Sequence, residues 1–169
     1  MDKDYENNNG ILNFIDGIVP FEELVNNYES KDRKQYDLFY SMCFCYILSL
    51  LDAFIGDLVR YKANKMGIVE EYEQTSFLNA KNAIKTIKTL FGTNIQYPAD
   101  FNTLVKKRNY IIHRNGFKPN GTRYRVTKED VLKLTDMIQT MVRDIKEKIT
   151  ESTAKAQIKN SIKNEKSNS

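Results

Sequence analysis

Fourteen consecutive residues, Leu38 to Leu51, carry no charge and lie between Asp37 and Asp52. A stretch of this kind must be removed from water, and its length limits how. A bilayer-spanning helix needs about 20 apolar residues, so the run predicts a buried core helix and no membrane partner. Extending the helical pattern outward gives an element from about Tyr36 to Lys65, apolar nearly all round through Leu38, Phe39, Met42, Tyr46, Ile47, Leu50, Leu51, Phe54, Ile55 and Leu58. Such a circumference belongs to a central helix packed on several sides.

A chain of 169 residues buries roughly 70% of the surface that its unfolded form exposes, so its core needs no disulfide or structural metal. The only cysteines, Cys43 and Cys45, are two apart inside the apolar run. On a helix that spacing points them to different sides, and they read as small buried hydrophobes. With His113 as the only histidine, a zinc site is poorly supplied, since zinc usually takes several His or Cys ligands. The first twenty residues begin acidic and Asn-rich instead of basic and then apolar, which predicts a cytoplasmic protein.

The remaining pattern is helical almost throughout. Residues 1–35 form a polar N-terminal segment in which Pro20 and Phe21 to Leu24 open a short helix. Phe77, Ala80, Ile84, Ile87 and Phe91 recur every three or four residues and stop at Gly92, which predicts a helix there. Asp100 is a candidate N-cap for a helix from Phe101 to about Arg114, ended by Gly116. A loop or small hairpin follows, turning at Pro119-Asn120-Gly121. Thr127 and Asp130 have capping-box spacing, although Asp reaches back less well than Glu. The helix they open carries Val131, Leu134, Ile138, Met141, Ile145 and Ile149 on one stripe, and the Lys/Asn/Ser-rich residues 151–169 are expected to fray or be disordered. The expected fold is therefore all-α, with a short loop or hairpin before its last helix.

Charge is distributed unevenly along this framework. Residues 1–99 are net −4, whereas residues 100–125 carry seven basic side chains against Asp100 alone, net +6. These are Lys106, Lys107, Arg108, Arg114, Lys118, Arg123 and Arg125, and they surround the single histidine. A positive field of that size attracts polyanions, nucleic acid first among them; a merely solvated basic face is the alternative. Tyr110, Phe117 and Tyr124 interleave with the cations and either stack on unpaired bases or pack the hairpin.

On a helical wheel, Phe101, Leu104, Val105, Ile111 and Ile112 share a sector centred near about 40°, and Arg108 falls in it too. A guanidinium in an apolar stripe is costly unless it is paired or given an anion. Asn109 and His113, four apart, share the neighbouring face. On the central helix, Asp52 lies on a small polar stripe with Cys45, Ser49 and Gly56, where another helix can approach closely. Asp52 is a candidate partner for Arg108; an Asp pointing out through a gap in the bundle is the alternative.

Arg108-Asn109-Tyr110-Ile111-Ile112-His113 resembles the R-N-x-x-x-H form of the signature of HEPN domains. Arg114-Asn115-Gly116 is similar to the tail of that signature in stand-alone prokaryotic members, and Leu50-Leu51-Asp52-Ala53-Phe54 resembles their earlier helix with an acidic residue. The resemblance covers roughly residues 36–150. It implies a four- to five-helix bundle over those residues that dimerises and joins two motifs into one composite ribonuclease site, without metal or cofactor. Carried over by residue, Arg108 and His113 are the catalytic pair and Asn109 the polar helper, with Asp52 a looser match as supporting acid. Lys106, Lys107, Tyr110, Arg114, Lys118, Arg123 and Arg125 are then the RNA-binding candidates.

The chemistry agrees on an independent point. RNA cleavage through the ribose 2′-OH uses a base, an acid and a cation, and one imidazole performs one proton transfer at a time. Two protomers supply two histidines and two arginines. The expected activity is a homodimeric endoribonuclease leaving 2′,3′-cyclic phosphate and 5′-OH ends. By family analogy it is a toxin or antiphage effector, with an antitoxin or another defence protein as a further partner. A catalytically silent module that binds RNA or a protein, and a nucleotide-binding regulator of a neighbouring enzyme, are the alternatives at this level.

Overall fold

The long apolar helix is the axis on which everything else is hung. The structure, a computed structural model, describes residues 18, 21–68, 72 and 76–167, the last eight as backbone only. The expectations for Pro20 and for residues 1–17 fall outside the described residues. Five helices appear among them: α1 over residues 21–27, α2 Arg33–Lys65, α3 Ala80–Phe91, α4 Phe101–Arg114 and α5 Lys128–Ser167. The protein is an all-α bundle. Helix α2 contacts α3, α4 and α5, and α3 also contacts α5.

Twelve α2 residues are buried, among them Tyr40, Phe44, Ile47, Leu51, Phe54 and Ile55. The α5 stripe from Val131 to Ile149 is buried opposite them, with Phe77, Ile87 and Phe101 closing the core. Among the described residues, α2 alone is long and apolar enough to cross a membrane by length and composition; here its inner side is the centre of the bundle. It is not covered all round as the sequence reading expected. Leu38, Met42 and Tyr46 stay 59%, 63% and 45% exposed, the first two beside the end of α4 and the third with its ring 5.3 Å from that of Phe21.

Local signals account for most helix ends. Asp32 caps α2 by accepting from the Lys34 N–H at 2.8 Å, and Asn79 caps α3 by accepting from Asn82 at 3.3 Å. Gly92 ends α3 in the left-handed region at φ 66°. The capping box forms in both directions: Thr127 N–H donates to Asp130 Oδ2 at 3.0 Å, and Asp130 N–H donates to Thr127 Oγ1 at 3.2 Å. Asp100 departs from expectation. It precedes α4 with φ −89° and ψ 0°, and its side chain makes no capping bond; its carbonyl instead accepts from Thr103 at 2.8 Å.

The last helix is also longer than its composition led us to expect. Its packing ends near Ile149 and Ser152, whose hydroxyl donates to the Phe91 carbonyl at 2.6 Å, yet the helix continues to Ser167. Lys, Ala, Gln and Glu are good helix formers, and extending an existing helix avoids the cost of nucleation. A Glu151–Lys155 pair at 3.6 Å adds a one-turn contact.

Two buried acids on α2 make the core sensitive to alkali. Burial raises the Cys43 thiol from 9.0 to about 11 and the Tyr40 hydroxyl from 10.0 to about 12. Each group therefore holds its proton more tightly folded than unfolded. The stability linked to them is intact below pH 9 and falls as pH rises towards 11–12. Chemical denaturation across this range is expected to show a decline that Cys43→Ala makes shallower.

Candidate functional site

Helix α4 carries the motif, and its end is shaped by two residues with positive φ, Asn115 at 49° and Gly116 at 84°. The Asn115 N–H and the Gly116 N–H both donate back to the Tyr110 carbonyl, the latter at 2.9 Å, so the last turn closes on a six-to-one bond widened by one residue. The chain then reverses through a short hairpin with a Phe117–Arg123 bridge. Lys118 N–H donates to the Thr122 carbonyl and Tyr124 N–H to the Gly116 carbonyl, each at 2.8 Å. A Cβ on Gly116 would be 3.6 Å from the Arg123 side chain and 3.5 Å from the Tyr124 carbonyl, both ordinary contacts, so it is the positive φ and not a lack of room that favours glycine there.

Arg108 is half-buried between α4 and α2. Its Nη1 donates to Asn109 Oδ1 at 3.1 Å, and its Nε is buried without a hydrogen-bond partner. Among the described residues no carboxylate forms an ion pair with it. Its charge is felt across the helix gap: burial pushes the Cys45 thiol up, and Arg108 partly opposes that shift. Asn109 and His113 are exposed, one turn apart. Arg108 and His113 lie about 140° apart on the helix with a rise of about 7.5 Å, and Asn109 stands between them. One helix thus presents a cation, an amide and an imidazole in turn round an edge that spans about 140° of its circumference.

Asp52 is not part of that edge. Its carboxylate accepts from Ser76 Oγ at 3.2 Å and from the Phe77 N–H, tying the segment before α3 to α2. Tyr97 completes the junction by donating to the Phe77 carbonyl at 3.2 Å; burial first, then the Asp52 charge, pushes its phenol up. The candidate Asp52–Arg108 pair does not form, and Asp52 serves instead as a structural anchor. Asp52→Ala should cost about 1–3 kcal/mol by leaving the Phe77 N–H without its acceptor, read as a lower melting temperature. The small stripe is also filled from within, since the Arg60 guanidinium lies 3.0 Å from a Cβ built on Gly56.

The basic residues divide into two groups. Lys106, Arg114, Arg123 and Arg125 are exposed. Lys107 is instead turned inward: it pairs with Asp130 at 3.4 Å and lies over the Phe44 ring at 5.2 Å and the Tyr124 ring at 5.9 Å. That position corrects its reading as an RNA contact, because its donors and its stem are engaged in the fold. Tyr110 stacks on Tyr124 with ring centres 5.6 Å apart, and Lys118 caps Tyr124 at 4.3 Å. Two of the three interleaved aromatics thus build the hairpin, while Phe117 is 44% exposed with Arg123 over its ring at 5.9 Å.

An apolar face beside the motif has only a faint sequence signal, and the cleft it lines has none. Leu38 and Met42 on α2 and Ile112 on α4 form an uncovered apolar face beside Arg108; the interleaved Ser41, Cys45 and Ser49 were its trace. The same three residues line a cleft of about 240 Å³ between α2, the end of α4 and the hairpin. Among the described residues, no three His, Cys, Asp or Glu side chains converge as a metal-binding group. No family model, curated protein or solved structure matches the chain.

Proposed function

We propose that the chain is a cytoplasmic HEPN-type endoribonuclease whose active site is completed by a second copy of itself, and that it serves as a toxin or antiphage effector. The observation that carries this reading is Arg108: a half-buried guanidinium with no carboxylate partner among the described residues, joined to Asn109 and followed one turn on by an exposed His113. A charge held so close to the core is expensive, and an anionic phosphate oxygen offsets that cost. Ile112 follows Arg108 by one turn, and the uncovered Leu38 and Met42 line one cleft with Ile112 and with Cys45, whose thiol the Arg108 charge reaches, so a symmetric partner that covers this face would bring a second His113 and Arg108 towards the first pair.

In that arrangement one neutral imidazole takes the proton of the ribose 2′-OH as its oxygen attacks the phosphorus. The other, protonated, gives its proton to the 5′-oxygen as the P–O5′ bond breaks. The guanidinium balances the charge that develops on the phosphorane oxygens. The products are a 2′,3′-cyclic phosphate and a 5′-OH. No acidic residue lies between Asp100 and Glu129, so the surrounding surface favours the approach of RNA.

The partial burial of Arg108 against α2 also suits a second reading, a silent module in which the residue is structural. Incubating the purified chain with a mixed RNA pool in EDTA and mapping the cut ends separates the two. The ribonuclease reading expects discrete cuts with cyclic-phosphate ends, whereas intact RNA that is bound and not cut favours the silent module.

A further inference from the structure

We propose that the free end of α5 is a second contact for the RNA, a cationic strip that holds the phosphate backbone at the end of the bundle away from the motif. Near its start, α5 is tied to the motif helix by the Asp130–Lys107 pair. It then packs against α2 and α3 through Ile138, Met141, Ile145 and Ile149, and reaches Ser152 about 33 Å further on, at about 1.5 Å per residue. Ser152 donates to the Phe91 carbonyl, and about four more turns follow, to Ser167. Measured from Ser152 at about 100° per residue, those apolar residues lie within about 60° of it, and so by register do Lys155, Lys159, Lys163 and Lys166. Glu151 and Glu165 fall about 100° and 140° away. The face turned to the bundle as far as Ser152 therefore becomes cationic where the bundle stops.

The strip meets further cations at its root. Phe91 carries Lys62 of α2 over its ring at 5.8 Å and follows Lys88 in the last turn of α3, so the ends of α2 and α3 and the root of the overhang form one basic corner. Lys155 pairs with Glu151 at 3.6 Å, but the two side chains are 79% and 69% exposed, and such a pair holds its lysine only weakly. The chemistry of the overhang selects its partner. A protein interface is built on an apolar core, yet Ile158 is the only large exposed apolar side chain of the overhang among the described residues, and it lies about 120° from Ser152, off the strip. A helix that lies on a membrane uses Trp, Phe or Leu, and no aromatic residue follows Tyr124. Lysines repeated every three or four residues without such anchors suit phosphates, whose contacts position a nucleic acid without reading its bases. This inference rests on the reading that the polymer is RNA, but it needs no cleavage.

At a stacked spacing of about 3.4 Å, roughly ten nucleotides separate the motif from the strip. Binding is therefore measured on the full chain with a fluorescent single-stranded RNA of about 30 nucleotides, 2′-O-methylated so that it cannot be cut, over about 50–200 mM salt. Lys155→Gln, Lys159→Gln, Lys163→Gln and Lys166→Gln together are expected to lower the log–log salt slope by about 2.8, since each phosphate contact on a single strand contributes about 0.7. At the lowest salt, binding weakens by about tenfold or more. Glutamine preserves the helix, which circular dichroism checks, and replacing the same four residues by arginine restores the slope. Lys31→Gln, Lys34→Gln, Lys81→Gln and Lys133→Gln remove the same charge from scattered exposed positions and are expected to lower the slope by less than about 1. Equal loss in this scattered set overturns the strip in favour of net charge. An unchanged slope in the strip variant also overturns it and leaves the face to an acidic protein. If unmethylated RNA is cut but the strip variant binds as the parent does, the strip fails and the ribonuclease stands; if the strip variant loses the slope but RNA is never cut, the strip stands and the ribonuclease fails. A parent chain that binds no RNA overturns both.

Discussion

His113→Ala is expected to lower RNA cleavage by about 10²–10⁴-fold, the range that a positioned acid or base contributes, with the helical circular-dichroism spectrum unchanged. The residue is exposed at the end of α4, so its loss removes chemistry and leaves packing intact. Arg108→Ala is expected to be as damaging, by about 10²–10³-fold, because it withdraws the charge that faces the phosphorane. Its effect on stability is the more informative part. Breaking a buried ion pair would strand a carboxylate at about 3–5 kcal/mol, but Asp52 is bonded to Ser76 and Phe77, so no partner is stranded. Arg108→Ala should therefore change stability by less than about 1 kcal/mol, measured by thermal melting. Full cleavage by His113→Ala removes the catalytic assignment.

Met42→Asp is expected to dissociate the dimer and to reduce cleavage in parallel. Met42 is 63% exposed in the single chain, so the substitution leaves the fold alone. In a symmetric interface the same change occurs twice, placing two carboxylates in one apolar contact. A combined penalty of about 3 kcal/mol or more corresponds to at least roughly a hundredfold weaker association, which sedimentation velocity over a concentration series resolves. Leu38→Asp and Ile112→Asp should act in the same direction. A Met42→Asp chain that sediments and cleaves as the parent does places the interface elsewhere.

Where a structural decision is local, the sequence states it well. Helix α4 begins at Phe101 and ends at Arg114 as read, because the left-handed positions Asn115 and Gly116 stop it whatever surrounds them. The Thr127–Asp130 box likewise needs only three residues of spacing and a short side chain that reaches. Decisions that join distant segments were not legible. Asp52 finds its partners at Ser76 and Phe77, across a connection whose length and path no periodicity encodes. Lys107 counts as one more cation in the basic segment until Asp130, Phe44 and Tyr124 converge on it from three elements.

The candidate site divides along the same line. Arg108, Asn109 and His113 were visible because helical spacing alone sets their relation. The apolar face was hidden because Leu38 and Met42 look like core residues in sequence, and only the packing of α4 against α2 shows which side of the helix stays uncovered. The cleft is made by three elements meeting and had no linear signature. The continuation of α5 to Ser167 was misjudged for a different reason: a polar composition argues against a core, but not against prolonging a helix that is already nucleated.

Subunit poisoning is the most direct test that the site is shared between two copies. A fixed amount of active chain is mixed with an increasing excess of His113→Ala chain and left to exchange before RNA is added. If each site needs a histidine from both protomers, a roughly ninefold excess lowers the activity of the fixed amount about tenfold, because most active chains then sit in mixed dimers. Activity that stays constant at every ratio contradicts the shared site and assigns cleavage to the single chain.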